Sequence, residues 1–466
     1  MHLSVKVGLT AVALLLSMPS FARTFDVRAW RGETVAVRVP DFAELGEAPE
    51  DVSMKVGRLA PVKYAPEPES LQIAECYDRV VWNGKGVGPR VAELTVAPEA
   101  KAGVYDIGAL RLTVVDRVLP PAKDWKYQLD LWQHPWAVAR VAKAKPFSRA
   151  HYAAMKPVYE LLATAGQKTI TVPLLDEPWD HQCRDAYHSL VDEPDFKTFD
   201  RYVSFCLECG LGPDISCYSL CPWKLKEAPG TPEFEKRWAP FLDRFVKHLK
   251  EKGWYERTVM SMDERSPEQV RAVVDFVHRH APGMRISMAG NCKPSDFKGI
   301  DIDAYAQLLD HVTPDFLAEV PARREKGFVT TFYVCCSPYS PNTFLPSGQH
   351  EPFWIGAFPA FAGLDGFLRW AWCSWPEDPV ADASYGWWKA GDTFLCYPGG
   401  EPSIRFLMLR NGIVAAGKIR ILREAGALDE TAFAKLAKCF VVKEAIAGTS
   451  NFRWLCDQTN ELVNGR

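Results

Sequence analysis

Thr258-Val259-Met260-Ser261-Met262-Asp263-Glu264-Arg265 is a short apolar run that stops abruptly at two adjacent carboxylates. Ser266-Pro267-Glu268-Gln269 follows, with a hydroxyl suited to an N-cap, proline at the first helical position and glutamine where a capping box wants it. Val270, Val273, Val274 and Val277 then recur at helical spacing. The pattern predicts a strand followed by a helix, with both acids at the strand's C-terminal end. In a barrel of alternating strands and helices, that edge carries the catalytic groups. Two acids there suit acid-assisted glycosidic chemistry. Alone, the pair is equally compatible with a solvated acidic turn or a helix cap.

The same strand-then-helix rhythm runs outward on both sides. Strands are expected over 128–132, 169–175, 214–220, 258–262, 285–289, 306–312, 328–333 and 366–372, with helices between them and a last one from Ser403. Eight such units over about 300 residues argue for a (β/α)8 TIM barrel. Before it, residues 24–120 read as short strands: Val35, Val37 and Val39 alternate, as do Leu110, Leu112 and Val114. That stretch predicts an N-terminal β-sandwich. The organisation expected is therefore an α/β protein: a signal peptide over 1–22, a β-sandwich domain over 23–121, a catalytic barrel over 122–424 and a helical C-terminal tail over 425–466.

Composition agrees with a globular chain: of 466 residues 47% are hydrophobic and 24% charged. A net charge of −3 gives no reason to expect nucleic acid as a partner. Lys6, the apolar run over 7–16 and Ser20-Phe21-Ala22 read as an export signal, so a periplasmic or extracellular location is expected. No later stretch is long enough to span a bilayer. Thirteen cysteines is an odd number, so at least one thiol lacks an intramolecular partner. Cys206, Cys209, Cys217 and Cys221 have a spacing open to either a zinc site or buried thiols. Cys335-Cys336 reads as packing in preference to a redox pair.

The expected strand ends form one rim. They offer Asp130, Trp132, Gln133 and His134; Asp176, Glu177 and Trp179; Tyr218 and Trp223; Asp263, Glu264 and Arg265; Asn291; Tyr333; and Arg369, Trp370, Trp372 and Trp375, with Trp387, Trp388, Asp392 and Tyr397 in the loop beyond. Aromatic faces stack on sugar C–H faces and carboxylates move protons, so this concentration on one edge suits a carbohydrate-cleaving site. Asp176-Glu177 is a rival acid pair, also at a strand end. His134, His181 and His188 lack metal-set spacing, and no phosphate-cradling or nucleophile-elbow motif occurs. No metal and no cofactor are expected. The partner expected is a glycan or glycoconjugate substrate.

Several stretches resemble glycoside hydrolase family 123 and its relatives with the domain of unknown function 4091. They are Leu129-Asp130-Leu131-Trp132-Gln133-His134-Pro135, Cys217-Tyr218-Ser219, Pro222-Trp223, Met262-Asp263-Glu264-Arg265, Thr330-Thr331-Phe332-Tyr333-Val334-Cys335-Cys336, Gly366-Phe367-Leu368-Arg369-Trp370-Ala371 and Gly391-Asp392-Thr393. The resemblance implies a β-N-acetylgalactosaminidase working by substrate-assisted, retaining hydrolysis, in which the sugar's own 2-acetamido oxygen is the nucleophile. It implies that Asp263 orients that group and steadies the cationic intermediate, and that Glu264 is the general acid and base. Tyr333 is the candidate to hold the acetamido oxygen. Tyr218, Trp223, Asp130, Trp132, Asn291, Arg369, Trp370, Trp372 and Trp375 are the further candidates for binding substrate.

Overall fold

The computed structural model describes residues 24–67, 72–84, 88–175, 190–192, 194–218, 220–222 and 227–465. The expected signal peptide, Asp176-Glu177, Trp179, His181, His188, Ser219 and Trp223 lie outside the described residues.

Seven strands come first: Phe25–Arg31 (β1), Thr34–Val39 (β2), Val52–Tyr64 (β3), Ala74–Trp82 (β4), Arg90–Val96 (β5), Gly103–Ile107 (β6) and Leu110–Val118 (β7). They alternate apolar and polar residues, so each turns one face inward. Two sheets result, ordered β1-β7-β6 and β2-β5-β3-β4. Val27, Ala29, Leu94, Val96, Leu110, Leu112 and Val114 share the core between them.

Eight parallel strands follow: Gln128–Leu131 (β8), Thr169–Pro173 (β9), Asp214–Tyr218 (β10), Thr258–Asp263 (β11), Arg285–Gly290 (β12), Ala304–Leu308 (β13), Val329–Tyr333 (β14) and Gly366–Arg369 (β15). Their order is β8-β15-β14-β13-β12-β11-β10-β9, which is sequence order wrapped around a barrel. Alternation sorts the strands by face. Leu129, Leu131, Ile170, Val172, Ile215, Met260, Met262, Ile286, Met288, Phe332 and Phe367 join the large outer core under the helices. The opposite parity carries small or polar residues such as Ser216 and Ser261, whose hydroxyls lie 2.5 Å apart inside the barrel. Gly366 lies against β8 so tightly that a Cβ there would meet the Gln128 carbonyl oxygen.

The barrel closes between β8 and β9 largely through side chains. Leu129 bridges to Gln167, and the Lys168 amide donates to the Leu129 carbonyl at 2.9 Å. Beyond that, Gln167 Oε1 accepts from the Leu131 amide at 2.9 Å while its Nε2 donates to Thr169 O at 2.8 Å. Gln133 Oε1 accepts from the Thr171 amide at 2.9 Å. Two glutamine amides thus stand in for missing ladder bonds.

The helices are Pro135–Val141 (α1), Arg149–Ala163 (α2), Phe196–Glu208 (α3), Pro232–Glu251 (α4), Pro267–His280 (α5), Pro314–Glu325 (α6), Glu351–Ala362 (α7) and Ile404–Glu424 (α8). The expected helix between the fifth and sixth strands is missing. A single 3-10 turn, Pro294–Phe297, replaces it, because Lys298 and Gly299 both take positive φ and stop the turn. The capping box ahead of α5 is present, with Ser266 and Gln269 bonding reciprocally.

Helix α8 fastens the barrel to the sandwich. Arg405 pairs with Asp78, Arg410 with Glu93 and Lys418 with Glu33, at 2.9, 2.5 and 2.6 Å, all six side chains buried or nearly so. Asn411 exchanges two hydrogen bonds with the Ala36 backbone on β2, extending that sheet edge. After α8, Glu430–Ala437 (α9), Val442–Ile446 (α10) and Phe452–Asn464 (α11) fold back. Phe433 and Phe440 stack on Phe361 of α7, and Trp30 donates to the Val463 carbonyl. No helix among the described residues is long and apolar enough to cross a membrane.

Candidate active site

The mouth of the barrel is defined by an inner cluster of Trp132, Tyr218, Ala289, Ala306, Tyr333 and Leu368, with Leu308, Cys335 and Trp370 against it. All are inward by strand parity or sit just past a strand end. Trp132 stays in register because its amide donates to Arg369 O at 3.1 Å. Its ring tilts onto Tyr218, with centroids 4.3 Å apart.

The acid pair sits on this mouth. Asp263 ends β11 with the inward parity of Ser261, and the next residue would ordinarily point outward. Glu264 instead takes the left-handed region, with φ +45°. Its amide donates to Ala289 O at 2.7 Å. The turn brings the second carboxylate back over the mouth, where Glu264 Oε1 accepts from Tyr333 Oη at 2.5 Å. A left-handed non-glycine residue costs about 1–3 kcal/mol and persists where surrounding structure enforces it, commonly at functional sites. Arg265, in contrast, is turned away and donates from Nε to Cys221 O at 2.7 Å.

Burial and the neighbouring acids raise both phenols. Tyr333 is raised by burial first, then by the charge of Glu264, their hydrogen bond and the charge of Asp263. Tyr218 is raised by burial, then by Asp130 and Asp263. Both phenols therefore stay protonated. Asp130, on the inward face of β8, is pushed up to about 7 by desolvation, against the pull of hydrogen bonds from Trp132 and Gln167. Its Oδ1 is enclosed and makes no hydrogen bond to the protein.

The remaining candidates divide. Trp370 joins the mouth, its indole N–H held by Asp392 Oδ1 at 3.0 Å and its ring against Trp388, centroids 5.2 Å apart. Asn291 is exposed directly after β12. Arg369, Trp372 and Trp375 sit behind the wall. Arg369 has outward parity, is fully buried and pairs with Asp392 at 2.9 Å. Burial lowers its pKa and raises that of Asp392, and their mutual attraction opposes both shifts. Trp372 donates to Val158 O of α2 and packs on Phe406 of α8; Trp375 donates to Cys396 O. Neither presents a free face to a ligand. Trp223 lies outside the described residues.

Sequence reasoning assigned no site role to Leu368, Ala289, Ala306 or Cys335. Counting alternate residues along each strand finds the first three and also separates Trp370 from Arg369. Nothing local marks Asp392 as the group that positions Trp370.

Cys206, Cys209, Cys217 and Cys221 are all buried in the outer apolar core, away from the mouth. Desolvation raises all four thiols. Packing, not coordination, is what this environment offers them. Among the described residues no set of three His, Cys, Asp or Glu side chains is arranged to hold a metal.

Acids and aromatics converging on the C-terminal mouth of a (β/α)8 barrel define the layout of a carbohydrate-processing enzyme. The chain belongs to glycoside hydrolase family 123: the model of the glycoside hydrolase 123 catalytic domain matches residues 132–422. A family 123 glycoside hydrolase from Clostridium perfringens, whose structure was solved to detail glycolipid glycan hydrolysis, has the same fold. Its TM-score is 0.78 at 20% identity, covering 95% of this chain and 94% of that one. The Ignisphaera aggregans GH53 catalytic domain aligns at TM-score 0.36 and 15% identity, over 64% of this chain and 99% of its own. A β-galactosidase from Bacillus circulans sp. alkalophilus aligns at 0.40 and 8%, over 64% and 56%. No curated protein matches the chain significantly.

Proposed function

We propose that this glycoside hydrolase is an exported exo-β-N-acetylgalactosaminidase that uses the substrate's 2-acetamido group as nucleophile. The observation that carries the reading is the left-handed turn at Glu264, which sets two consecutive carboxylates on one mouth. An ordinary retaining enzyme places its two carboxyls about 5–5.5 Å apart on separate supports, one of them a nucleophile. Adjacent acids suit a different division of labour. Asp263 orients the acetamido group and stabilises the charge of the cyclised intermediate. Glu264 protonates the leaving oxygen and then takes a proton from water. Trp370 supplies an apolar face, Trp132 backs the mouth from within the wall as a buried ring, and Asp130 accepts from a sugar hydroxyl.

Hydrolysis of a panel of aryl β-glycosides tests this. Aryl N-acetyl-β-galactosaminide should turn over, the first product should keep the β configuration, and the plain β-galactoside should barely react. Preference for another 2-acetamido sugar would change the specificity and keep the mechanism. Efficient cleavage of a sugar lacking the acetamido group would end it.

A further inference from the structure

Two sulfurs at the edge of the pocket take no part in the glycosidic chemistry. After Tyr333 the chain crosses the rim as Val334-Cys335-Cys336. Cys335 packs against the inner cluster, and Cys336 is the one exposed residue among the twelve described cysteines. Their Sγ atoms lie 3.8 Å apart. A buried frame holds this segment. Asn342 Nδ2 donates to Cys335 O at 3.0 Å and Pro338 O at 2.6 Å, and Arg369 donates to Val334 O at 3.3 Å and to Asn342 Oδ1 at 3.1 Å. The two thiols are thus kept in contact and one of them faces solvent. Their shared hydrogen bond lowers the Cys336 thiol and, together with burial, raises the Cys335 thiol, so Cys336 is the one of the two that ionises first. An exposed, more acidic thiol is the better attacking group.

We propose that Cys335 and Cys336 form a reversible vicinal disulfide by exchange with a small soluble disulfide, and that closing it suppresses turnover. The second clause rests on the glycosidase reading; the first does not. The Cys336 thiolate attacks one sulfur of the oxidant and releases the first thiol. Cys335 then attacks Cys336 Sγ and releases the second. One S–S bond of the oxidant breaks, one forms in the protein, and the two cysteine protons leave on the two small thiols. Consecutive Cα atoms are about 3.8 Å apart, below the roughly 4.4–6.8 Å that relaxed disulfides span. The ring is therefore strained and easily reduced, which suits a switch and not a structural staple. Closure also draws the sulfurs from 3.8 Å to about 2.05 Å, two residues after the tyrosine that holds Glu264.

The test treats full-length protein with glutathione disulfide, alkylates remaining thiols with iodoacetamide and maps peptides by mass spectrometry, with turnover followed in parallel. The peptide holding both cysteines should lose two hydrogens and escape alkylation, and dithiothreitol should reverse this. Turnover should fall about tenfold or more, since small displacements in a catalytic constellation are costly, and should return with the reductant. Cys336→Ser should keep basal activity and resist the oxidant. Glutathione left on Cys336 without ring closure, or a bond to another cysteine, would overturn the disulfide. Ring closure with unchanged turnover would overturn the control. A protein inert towards glycosides from the outset counts against the glycosidase reading, and the mass change alone then decides the disulfide.

Discussion

The Tyr333 hydroxyl donates to Glu264 Oε1 across 2.5 Å, joining two strands whose residues are 69 positions apart. The phenol is raised by burial and by that carboxylate, so it stays a donor over the working pH range. Tyr333→Phe removes this bond while keeping the ring. A hydrogen bond to a charged group is worth about 1.5–3 kcal/mol, so kcat/KM should drop by roughly ten- to a hundred-fold. Steady-state kinetics on an activated aryl glycoside measure it, and an unchanged rate would detach Tyr333 from the site.

Glu264→Gln should abolish hydrolysis of substrates with poor leaving groups yet spare activated aryl glycosides. Loss of a general acid costs about 10²–10⁴ in rate, and a good leaving group needs little protonation. Comparing two aglycones on the same sugar makes the measurement, and equal losses on both would remove Glu264 from that role.

Asp263→Asn should slow both substrate types alike. In the proposed mechanism it weakens stabilisation of the cationic intermediate, an electrostatic effect of about 2.7–4 kcal/mol in comparable sites. A thiazoline mimic of that intermediate should bind wild type more tightly than the product sugar does, and should lose that advantage in the variant. Mass spectrometric trapping of a glycosyl ester on Asp263 would contradict the assignment.

Asp130 gives stability a pH dependence of predictable sign. Desolvation raises its folded pKa from the ordinary 3.8 to about 7. Between those values the folded state holds a proton that the unfolded state has lost. Stability from this residue is thus fully present below the unfolded value and falls as pH rises towards 7. Asp130→Asn should flatten that part of the profile. Urea unfolding from pH 4 to 8 reports it, and parallel profiles for the two proteins would refute the shift.

Asp78→Ala should destabilise the whole chain. Asp78 receives Arg405 Nε and Nη2 at 2.9 Å each and the Tyr397 hydroxyl at 2.7 Å, all buried between sandwich and barrel. Breaking one side of a buried pair costs about 3–5 kcal/mol. A lowered urea midpoint with a single transition is expected; two separated transitions would mean that the sandwich and barrel unfold independently.

Much of this was readable in the residues because period and punctuation are local. The valines of α5, the capping box at Ser266 and the apolar run ending at Asp263 mark their elements without tertiary help. The misreadings came from properties that live between elements. Arg369, Trp372 and Trp375 look like rim residues when a strand end is read as one block, yet side chains alternate, and buried partners on α2 and in the loop at Asp392 claim them. The missing helix before β13 turned on two positive-φ residues, Lys298 and Gly299, only one of them a glycine. The left-handed Glu264 carries no sequence mark at all, because the backbone geometry that orients it is set by the neighbouring strand's Ala289 carbonyl.

One joint of the ring is spelled in side chains. Elsewhere around the barrel, backbone groups make the rungs, and those groups are the same whatever residue occupies the position. Between β8 and β9 the rungs past Leu129 need an amide of glutamine's reach at 133 and at 167. A change of side chain there edits the closure itself, because the side chain is the rung. The joint also adjoins Asp130 and Trp132, so a lineage could widen or tighten its sugar pocket by changing one hinge-like pair, with every catalytic side chain left as it is.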